Sequence, residues 1–117
     1  MAERASNCLF CKIGAREVDA NIVHESDNVV AFRDVNPQAP THILLIPKDH
    51  IESVAVVTGA HAKLLAEIVE SATHLAKAEG LEDGWRLVTN VGPDAGQSVP
   101  HLHVHLLGGR KLGWPPG

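Results

Sequence analysis

The chain has 117 residues, which suits one compact domain with a hydrophobic core and is short for two. Apolar residues make up 44% and charged residues 21%, close to ordinary globular usage, which argues against disorder and fibrous repeats. The formal net charge of −4 argues against a nucleic-acid partner but allows small nucleotides. We expect no membrane segment, because the apolar runs fall far short of the ~20 residues a spanning helix needs. MAERASN shows no apolar signal-peptide core, so a cytoplasmic location is expected.

The first half of the chain predicts a short helix and three strands. After a flexible start over residues 1–7, CLFCKIGARE is typical of a brief amphipathic helix that cannot stand alone. Two β-rich runs, NIVHE and VVAFRDV, flank Ser26-Asp27-Asn28, which suits a hairpin turn. The loop NPQAP follows. THILLIPK then predicts a strand buried on both faces, because it is almost continuously apolar.

The second half predicts a long helix and two more strands. Thr58 suits a helix N-cap and Gly80 a helix end, and the apolar residues between them recur at the spacing of one helix face. GWRLVTNVG and LHVHLLG predict strands on either side of the Gly-rich loop GPDAGQS. The order β-β-β-α-β-β predicts an α+β domain over residues 8–117, with a five-stranded antiparallel sheet and one long helix packed across it.

Two cysteines, Cys8 and Cys11, have the spacing Cys-x-x-Cys. In a reducing compartment this pair indicates a metal clip or a redox pair rather than a structural disulfide. A redox motif of the thioredoxin kind would follow a strand, and none precedes Cys8, so zinc is the better hypothesis. Two thiolates are half of a tetrahedral site, and the other ligands would be distant histidines. The alternative is a pair of small buried thiols with no metal.

Three histidines alternate in PHLHVHLLGG: His101, His103 and His105. On a strand, side chains two residues apart point to the same face, about 6.5–7 Å from each other. This run could be a solvated polar face, although three coincident histidines make that a poor explanation. It could instead supply ligands to an open catalytic zinc. In the third interpretation, one imidazole is a nucleophile or acid-base group that its neighbours orient.

The loop before the histidines favours a phosphate site. Gly92 and Gly96 allow backbone N–H groups to approach an anion, and Gln97 and Ser98 can donate hydrogen bonds to it. No carboxylate near the histidine run suits the general base of a hydrolytic zinc site. The residues therefore indicate histidine chemistry on a phosphate.

Several separated segments together resemble one family. QSVPHLHVHLLGGR resembles the signature of the histidine triad family. The segments FCKI, DVNPQAPTHILLIPKDHI, NVGPDAGQSV and GGRKLGWPPG are similar to its nucleotide-binding (Hint) branch. The resemblance implies the histidine triad fold, including a short N-terminal helix. It also implies hydrolysis or transfer at the α-phosphate of a nucleotide, with purine nucleoside phosphoramidates as the favoured substrates.

The resemblance also implies roles for individual residues. His103 would attack phosphorus and become a nucleotidyl-histidine, His105 would contact the phosphate and protonate the leaving amine, and His42 would complete the catalytic cluster. Ser98 also belongs to this catalytic set. The implied nucleotide contacts are Asn90, Gln97 and Ser98 at the phosphate, Asp34 at the ribose, and Phe10, Ile13, Phe32 and Val35 around the base.

A structural zinc and a homodimer are further implications of the resemblance. The zinc ligands would be Cys8, Cys11, His50 and His101. The C-terminal tail, with Trp114, would reach toward the partner's site. Pro100 departs from the animal members, where an aromatic residue is common, so a fine base preference does not carry over. The remaining histidines, for which we expect no role in catalysis, are His24, His61 and His74.

Two other functions stay open at this point. One is hydrolysis of dinucleoside polyphosphates, within the same superfamily. The other is a zinc-stabilised nucleotide-binding regulatory protein with vestigial catalysis, against which the intact triad argues.

Overall fold

The computed structural model describes residue 5 and residues 7–117, so most of the flexible start predicted for residues 1–7 lies outside the described residues. It contains two α-helices, five strands and three short 3-10 turns. The helices are α1 (Leu9–Gly14) and α2 (Ala62–Ala78), and the strands are β1 (Ile22–Glu25), β2 (Val29–Arg33), β3 (Thr41–Pro47), β4 (Trp85–Val88) and β5 (Val104–Gly108). The strands form one antiparallel sheet in the order β1-β2-β3-β5-β4. The predicted α+β fold is confirmed.

The central strands are buried on both faces, as the apolar run in β3 predicted. Side chains alternate along β3, so Ile43 and Leu45 join the core beneath α2, while Leu44 and Ile46 join the core beneath α1. Leu45 and Ile46 are both 0% exposed. The sheet is therefore the middle layer, with α2 on one face and α1 with the candidate site on the other.

Helix α2 follows a capped 3-10 turn. The Thr58 hydroxyl accepts a hydrogen bond from the Ala60 N–H, and His61 Nδ1 accepts one from the Thr58 N–H at 2.9 Å. Thr58 thus caps the turn that leads into the helix. Gly80, with a φ of +72°, follows the helix end as predicted. Within the described residues, neither helix has the length and apolar character needed to cross a membrane.

Strand β5 is shorter than LHVHLLG predicts, because its ladder begins at Val104. The backbone N–H of Leu102 donates to the Ile51 carbonyl and that of His101 to the Val99 carbonyl, so this segment bonds outside the ladder. Of the three alternating histidines, His105 alone lies in a strand. The alternation of side chains persists, since Leu102 packs in the core beneath α2.

Candidate active site and metal centre

The register of the sheet places one row of paired residues across the floor of the site. Ile22 in β1 pairs with Phe32 in β2, Phe32 with Leu44 in β3, and Leu44 with His105 in β5. Val88 in β4 completes the row. Directly opposed residues on antiparallel strands share a face, so this row points to the α1 side of the sheet. His105 therefore follows three apolar residues along this row.

A pocket of about 670 Å³ lies over this row, in the size range of small-molecule sites. Its lining joins histidines at one end to apolar side chains along the wall. The lining residues are Leu9, Phe10, Ile13, Val18, Asp19, Ala20, Asn21, Phe32, Arg33, Asp34, Val35, Leu44, Ser98, His103 and His105. Eight of the predicted nucleotide contacts lie in this set: Phe10, Ile13, Phe32, Asp34, Val35, Ser98, His103 and His105.

His103 is held in one orientation. Its Nδ1 lies 2.8 Å from the carbonyl oxygen of His101, which accepts a hydrogen bond but cannot donate one. Nδ1 therefore carries a hydrogen, and in the neutral ring Nε2 is the nitrogen with the lone pair. The ring packs edge-on against Phe10, with centroids 5.1 Å apart, and is 5% exposed. A buried and oriented ring whose Nε2 is the free nitrogen of the neutral tautomer is the form that a histidine nucleophile needs.

His42 and His105 form a hydrogen-bond chain of known direction. The Gln38 backbone N–H donates to His42 Nδ1 at 3.0 Å, so the neutral His42 ring carries its hydrogen on Nε2. That Nε2 lies 2.8 Å from His105 Nδ1, which must accept. The His105 hydrogen is consequently on Nε2. His105 Nε2 is thus a hydrogen-bond donor, whereas His103 Nε2 is an acceptor in the neutral ring.

Burial keeps this chain uncharged near neutral pH. Burial is the main cause that lowers the pKa of His105 to about 4; the neighbouring His103 and His42 rings contribute to the same shift, and Asp34 opposes it. Burial also lowers the pKa of His42, although the Asp34 carboxylate opposes this shift. Asp34 Oδ2 lies 3.4 Å from His42 Nε2. His42 Nε2 carries a hydrogen and therefore has no lone pair for a metal ion. Asp34, His42 and His105 thus form a proton network.

Of the three polar residues predicted to contact the phosphate, one lines the pocket and two lie outside its lining. Ser98 lines the pocket, and its side chain makes no hydrogen bond within the described residues. The Gln97 amide accepts from the Gly92 N–H at 3.0 Å and donates to the carbonyls of Glu52 and Val99. Gln97 therefore holds the loop together. The lining of the pocket, among described residues, includes neither Gln97 nor Asn90.

The second cluster has the donor set of a zinc site. The donor atoms of Cys8, Cys11, His50 and His101 all lie within 4.8 Å of one another. Cys8 Sγ is 3.3 Å from His101 Nδ1, and Cys11 Sγ is 3.4 Å from His50 Nδ1. Tetrahedral zinc with ordinary Zn–S and Zn–N bonds separates such ligands by roughly 3.6 Å. The four residues predicted as ligands are therefore together.

The protonation of His101 fits a metal ligand. Its Nε2 donates to the Pro47 carbonyl at 2.9 Å, which leaves Nδ1 unprotonated and facing the two thiols. His101 is 0% exposed, and burial lowers its pKa to about 4. The ring is therefore neutral near pH 7, as metal ligation requires. The donor chemistry of this cluster fits Zn²⁺.

Some residues of the pocket had no predicted role. Leu44 could have been found from register, since it lies between Phe32 and His105. The segment 18–21 before β1, together with Leu9 and Arg33, carried no motif. The histidines assigned no role lie outside this lining: the rings of His24 and His74 face each other at 5.5 Å, and His61 caps a turn.

Three histidines cluster at one end of an apolar pocket on this sheet, beside a Cys/His donor set. This arrangement defines a histidine triad protein. The family model "HIT domain" matches residues 15–112 of this chain. The chain therefore belongs to the HIT family.

Individual relatives agree with this assignment. The 14 kDa zinc-binding protein of Zea mays is 51% identical over 114 residues, covering 96% of this chain and 89% of the relative. Adenylylsulfatase HINT1 of Arabidopsis thaliana is 46% identical, covering 96% and 78%. The crystal structure of a HIT family hydrolase from Legionella pneumophila Philadelphia 1 is 55% identical with a TM-score of 0.93, covering 95% and 100% of the two chains. These relatives support a HIT-type hydrolase.

Proposed function

We propose that this protein is a nucleotide hydrolase that cleaves purine nucleoside 5′-phosphoramidates through a covalent intermediate on His103. The observation that carries the proposal is the orientation of that ring. The His101 carbonyl holds the hydrogen on Nδ1, so Nε2 has a lone pair at the histidine end of the pocket. The name of the Arabidopsis relative, adenylylsulfatase, supports chemistry on an adenylyl group.

The reaction has two steps in this proposal. His103 Nε2 attacks the α-phosphorus, an N–P bond forms, and the bond from phosphorus to the leaving nitrogen breaks. The amine takes its proton from His105 Nε2, whose hydrogen is directed by the chain from His42. Water then attacks phosphorus, releases His103 and returns a proton to His105. The products are a nucleoside monophosphate and a free amine.

The remaining lining residues have complementary roles in this proposal. The Asp34 carboxylate accepts hydrogen bonds from the ribose hydroxyls, with its Oδ1 already positioned by the Asn36 N–H at 2.8 Å. The Ser98 hydroxyl donates to a phosphate oxygen. Apolar walls enclose the base, and among them the rings of Phe10 and Phe32 meet edge-to-face at 5.5 Å. Gln97 supports the phosphate loop from outside the pocket, and the role of Asn90 beside the phosphate stays a prediction.

The variant His103→Ala tests the nucleophile. Adenosine 5′-phosphoramidate turnover should fall by at least about 10³-fold, while AMP affinity stays within about fivefold, because the rest of the pocket remains. Rapid quenching of the wild type should trap a nucleotidyl-histidine at position 103 by mass spectrometry. His74→Ala, on the exposed side of α2, is the matched control and should retain full turnover. Unchanged turnover in His103→Ala would refute the proposal.

Two other leaving groups belong in the same assay. Diadenosine polyphosphate represents the alternative hydrolase, and adenylyl sulfate represents the reaction named for the Arabidopsis relative. We expect the phosphoramidate to have the highest kcat/KM. A protein that binds AMP but turns over none of the three would instead be a regulatory nucleotide-binding protein.

We also propose that the Cys/His cluster holds a structural Zn²⁺. The ion would supply a crosslink between α1, the segment after β3 and the segment before β5, and no reaction step passes through it. The name of the Zea mays relative, zinc-binding protein, supports this choice of metal. His101 then has a structural role, and its carbonyl positions the nucleophile.

The proposed assembly is a homodimer of single domains spanning residues 8–117. Strand β4 lies at an edge of the sheet, and Trp114 in the tail is 81% exposed. An exposed edge and an exposed tryptophan are features that a partner subunit would cover. The cytoplasmic location stays a prediction.

A further inference from the structure

The end of the pocket opposite the histidines carries two polar side chains that the proposed reaction does not use. Asp19 and Asn21, in the segment between α1 and β1, both line the pocket and are exposed. Among the described residues, neither side chain makes a hydrogen bond or an ion pair. A carboxylate and an amide therefore face this end of the pocket with their hydrogen-bonding capacity available.

The sheet register gives the distance between the two ends. The row from His105 through Leu44 and Phe32 to Ile22 crosses three strand spacings, roughly 14 Å at about 4.8 Å each. Asn21 immediately precedes Ile22, and its carbonyl accepts a hydrogen bond from the Arg33 N–H at 3.0 Å. This span is comparable with the extended length of a nucleoside monophosphate. A nucleotide whose phosphorus is at the histidines would present the outer edge of its base to residues 18–21.

We propose that Asp19 reads the base and gives the site a preference for guanine over adenine. This inference rests on the proposed nucleotide site. An ionised carboxylate only accepts hydrogen bonds, and guanine offers it two adjacent donors, the N1–H and the N2 amino group. Adenine presents a lone pair on N1, which a carboxylate repels. The discrimination therefore comes from the difference between a donor and an acceptor at one position of the purine ring.

Asn21 complements Asp19 without discriminating between guanine and adenine. Its amide can donate to guanine O6 or, with the amide rotated, accept from the adenine N6 amino group. Asn21 therefore strengthens the binding of either purine. The two residues predict separable effects, one on the choice of base and one on affinity.

The test compares guanosine, inosine and adenosine 5′-phosphoramidates, because inosine keeps the N1–H but lacks the N2 amino group. The wild type should prefer guanosine to adenosine by on the order of tenfold in kcat/KM, mainly through KM, with inosine between them. Asp19→Asn should bring the ratio to within about twofold. Asp27→Asn, an exposed turn carboxylate outside the pocket lining, is the charge-matched control and should keep the wild-type ratio. Asn21→Ala should raise KM for both substrates equally.

Calorimetric binding of GMP, IMP and AMP separates this inference from the proposed reaction. If GMP binds tightest and Asp19→Asn removes the difference, base reading stands, even if no phosphoramidate is cleaved and the proposed function fails. Equal affinities and equal kcat/KM for guanine and adenine in the wild type would overturn the inference. A guanine preference that persists in Asp19→Asn would overturn it as well.

Discussion

At the scale of single residues, the candidate site depends on where each imidazole keeps its hydrogen. The His101 carbonyl places one hydrogen on His103 Nδ1, and the Gln38 N–H places another on His42 Nε2. His105 Nε2 consequently becomes a donor, and the His105 and His103 ring centroids are 5.1 Å apart. Backbone groups, which do not titrate, thus assign different roles to chemically identical rings.

His105 also links stability to pH. Its pKa is lowered to about 4 by burial, whereas an unfolded histidine titrates near 6.5. Between these values the unfolded chain binds more protons, so the His105 contribution is complete above about pH 6.5 and is lost as the pH falls toward 4. One such group contributes at most about 1.4 kcal/mol of unfolding free energy per pH unit.

Urea denaturation from pH 4 to 7 measures this contribution. The free energy of unfolding of His105→Gln should rise less steeply with pH than that of the wild type. The difference between the two slopes should be at most that expected for one bound proton. The control is His74→Gln, a histidine-to-glutamine change at an exposed position of α2, and this variant should keep the wild-type slope. Equal slopes in His105→Gln and the wild type would show that His105 is not buried neutral.

At the scale of elements, a metal ion bound at the Cys/His cluster would compensate for the shortness of α1. Six residues are too few for an independent helix, and Cys8 both caps α1 and contributes a donor atom to the cluster. The other donors come from the segments after β3 and before β5. A bound ion would therefore tie three separate parts of the chain together, beside the carbonyl that orients His103.

The variant Cys8→Ser tests whether a metal ion at the Cys/His cluster stabilises the protein. Plasma mass spectrometry of wild type purified without chelators should find about one zinc per chain, and the variant should lose it. The variant should be destabilised by several kcal/mol, because metal binding contributes directly to folding. Its kcat should fall more than its affinity for AMP, since the segment that holds His103 loosens. A chelator should lower the Tm of the wild type and leave the Tm of Cys8→Ser unchanged. A wild-type protein that contains no metal by mass spectrometry would refute the site.

At the scale of the whole molecule, the sheet and the tail present surfaces suited to a second subunit. The Arg86 guanidinium donates to the Gly113 carbonyl at 2.9 Å and lies 5.9 Å from the centre of the Trp114 ring. This contact fixes the tail beside the edge strand β4. Trp85, at the start of β4, is 38% exposed, so two tryptophans flank the same edge. Tryptophans in such positions often dominate the energy of an interface.

Analytical ultracentrifugation tests the homodimer. The wild type should sediment as two chains, and Trp114→Ala should raise the dimer dissociation constant at least about tenfold, since a central tryptophan contributes about 2 kcal/mol or more. Val56→Ala, an exposed apolar residue in a 3-10 turn, is the control and should leave the constant unchanged. A monomeric wild type at micromolar concentration would refute the dimer.

The sequence alone determined the elements and the ligand chemistry. Apolar periodicity is a local property, so the doubly buried strand β3 and the helix ending near Gly80 were predictable. The motifs identified the family and named the four residues that converge in the cluster around His101.

The tertiary structure alone decided where β5 begins, which nitrogen of each ring is protonated and how residues 18–21 close the pocket. Each of these depends on partners distant in the chain. The Leu102 N–H bonds to Ile51, and His42 Nε2 bonds to His105. Spacing along a sequence specifies which side chains share a face. The donor that reaches each acceptor is specified only once the segments have packed.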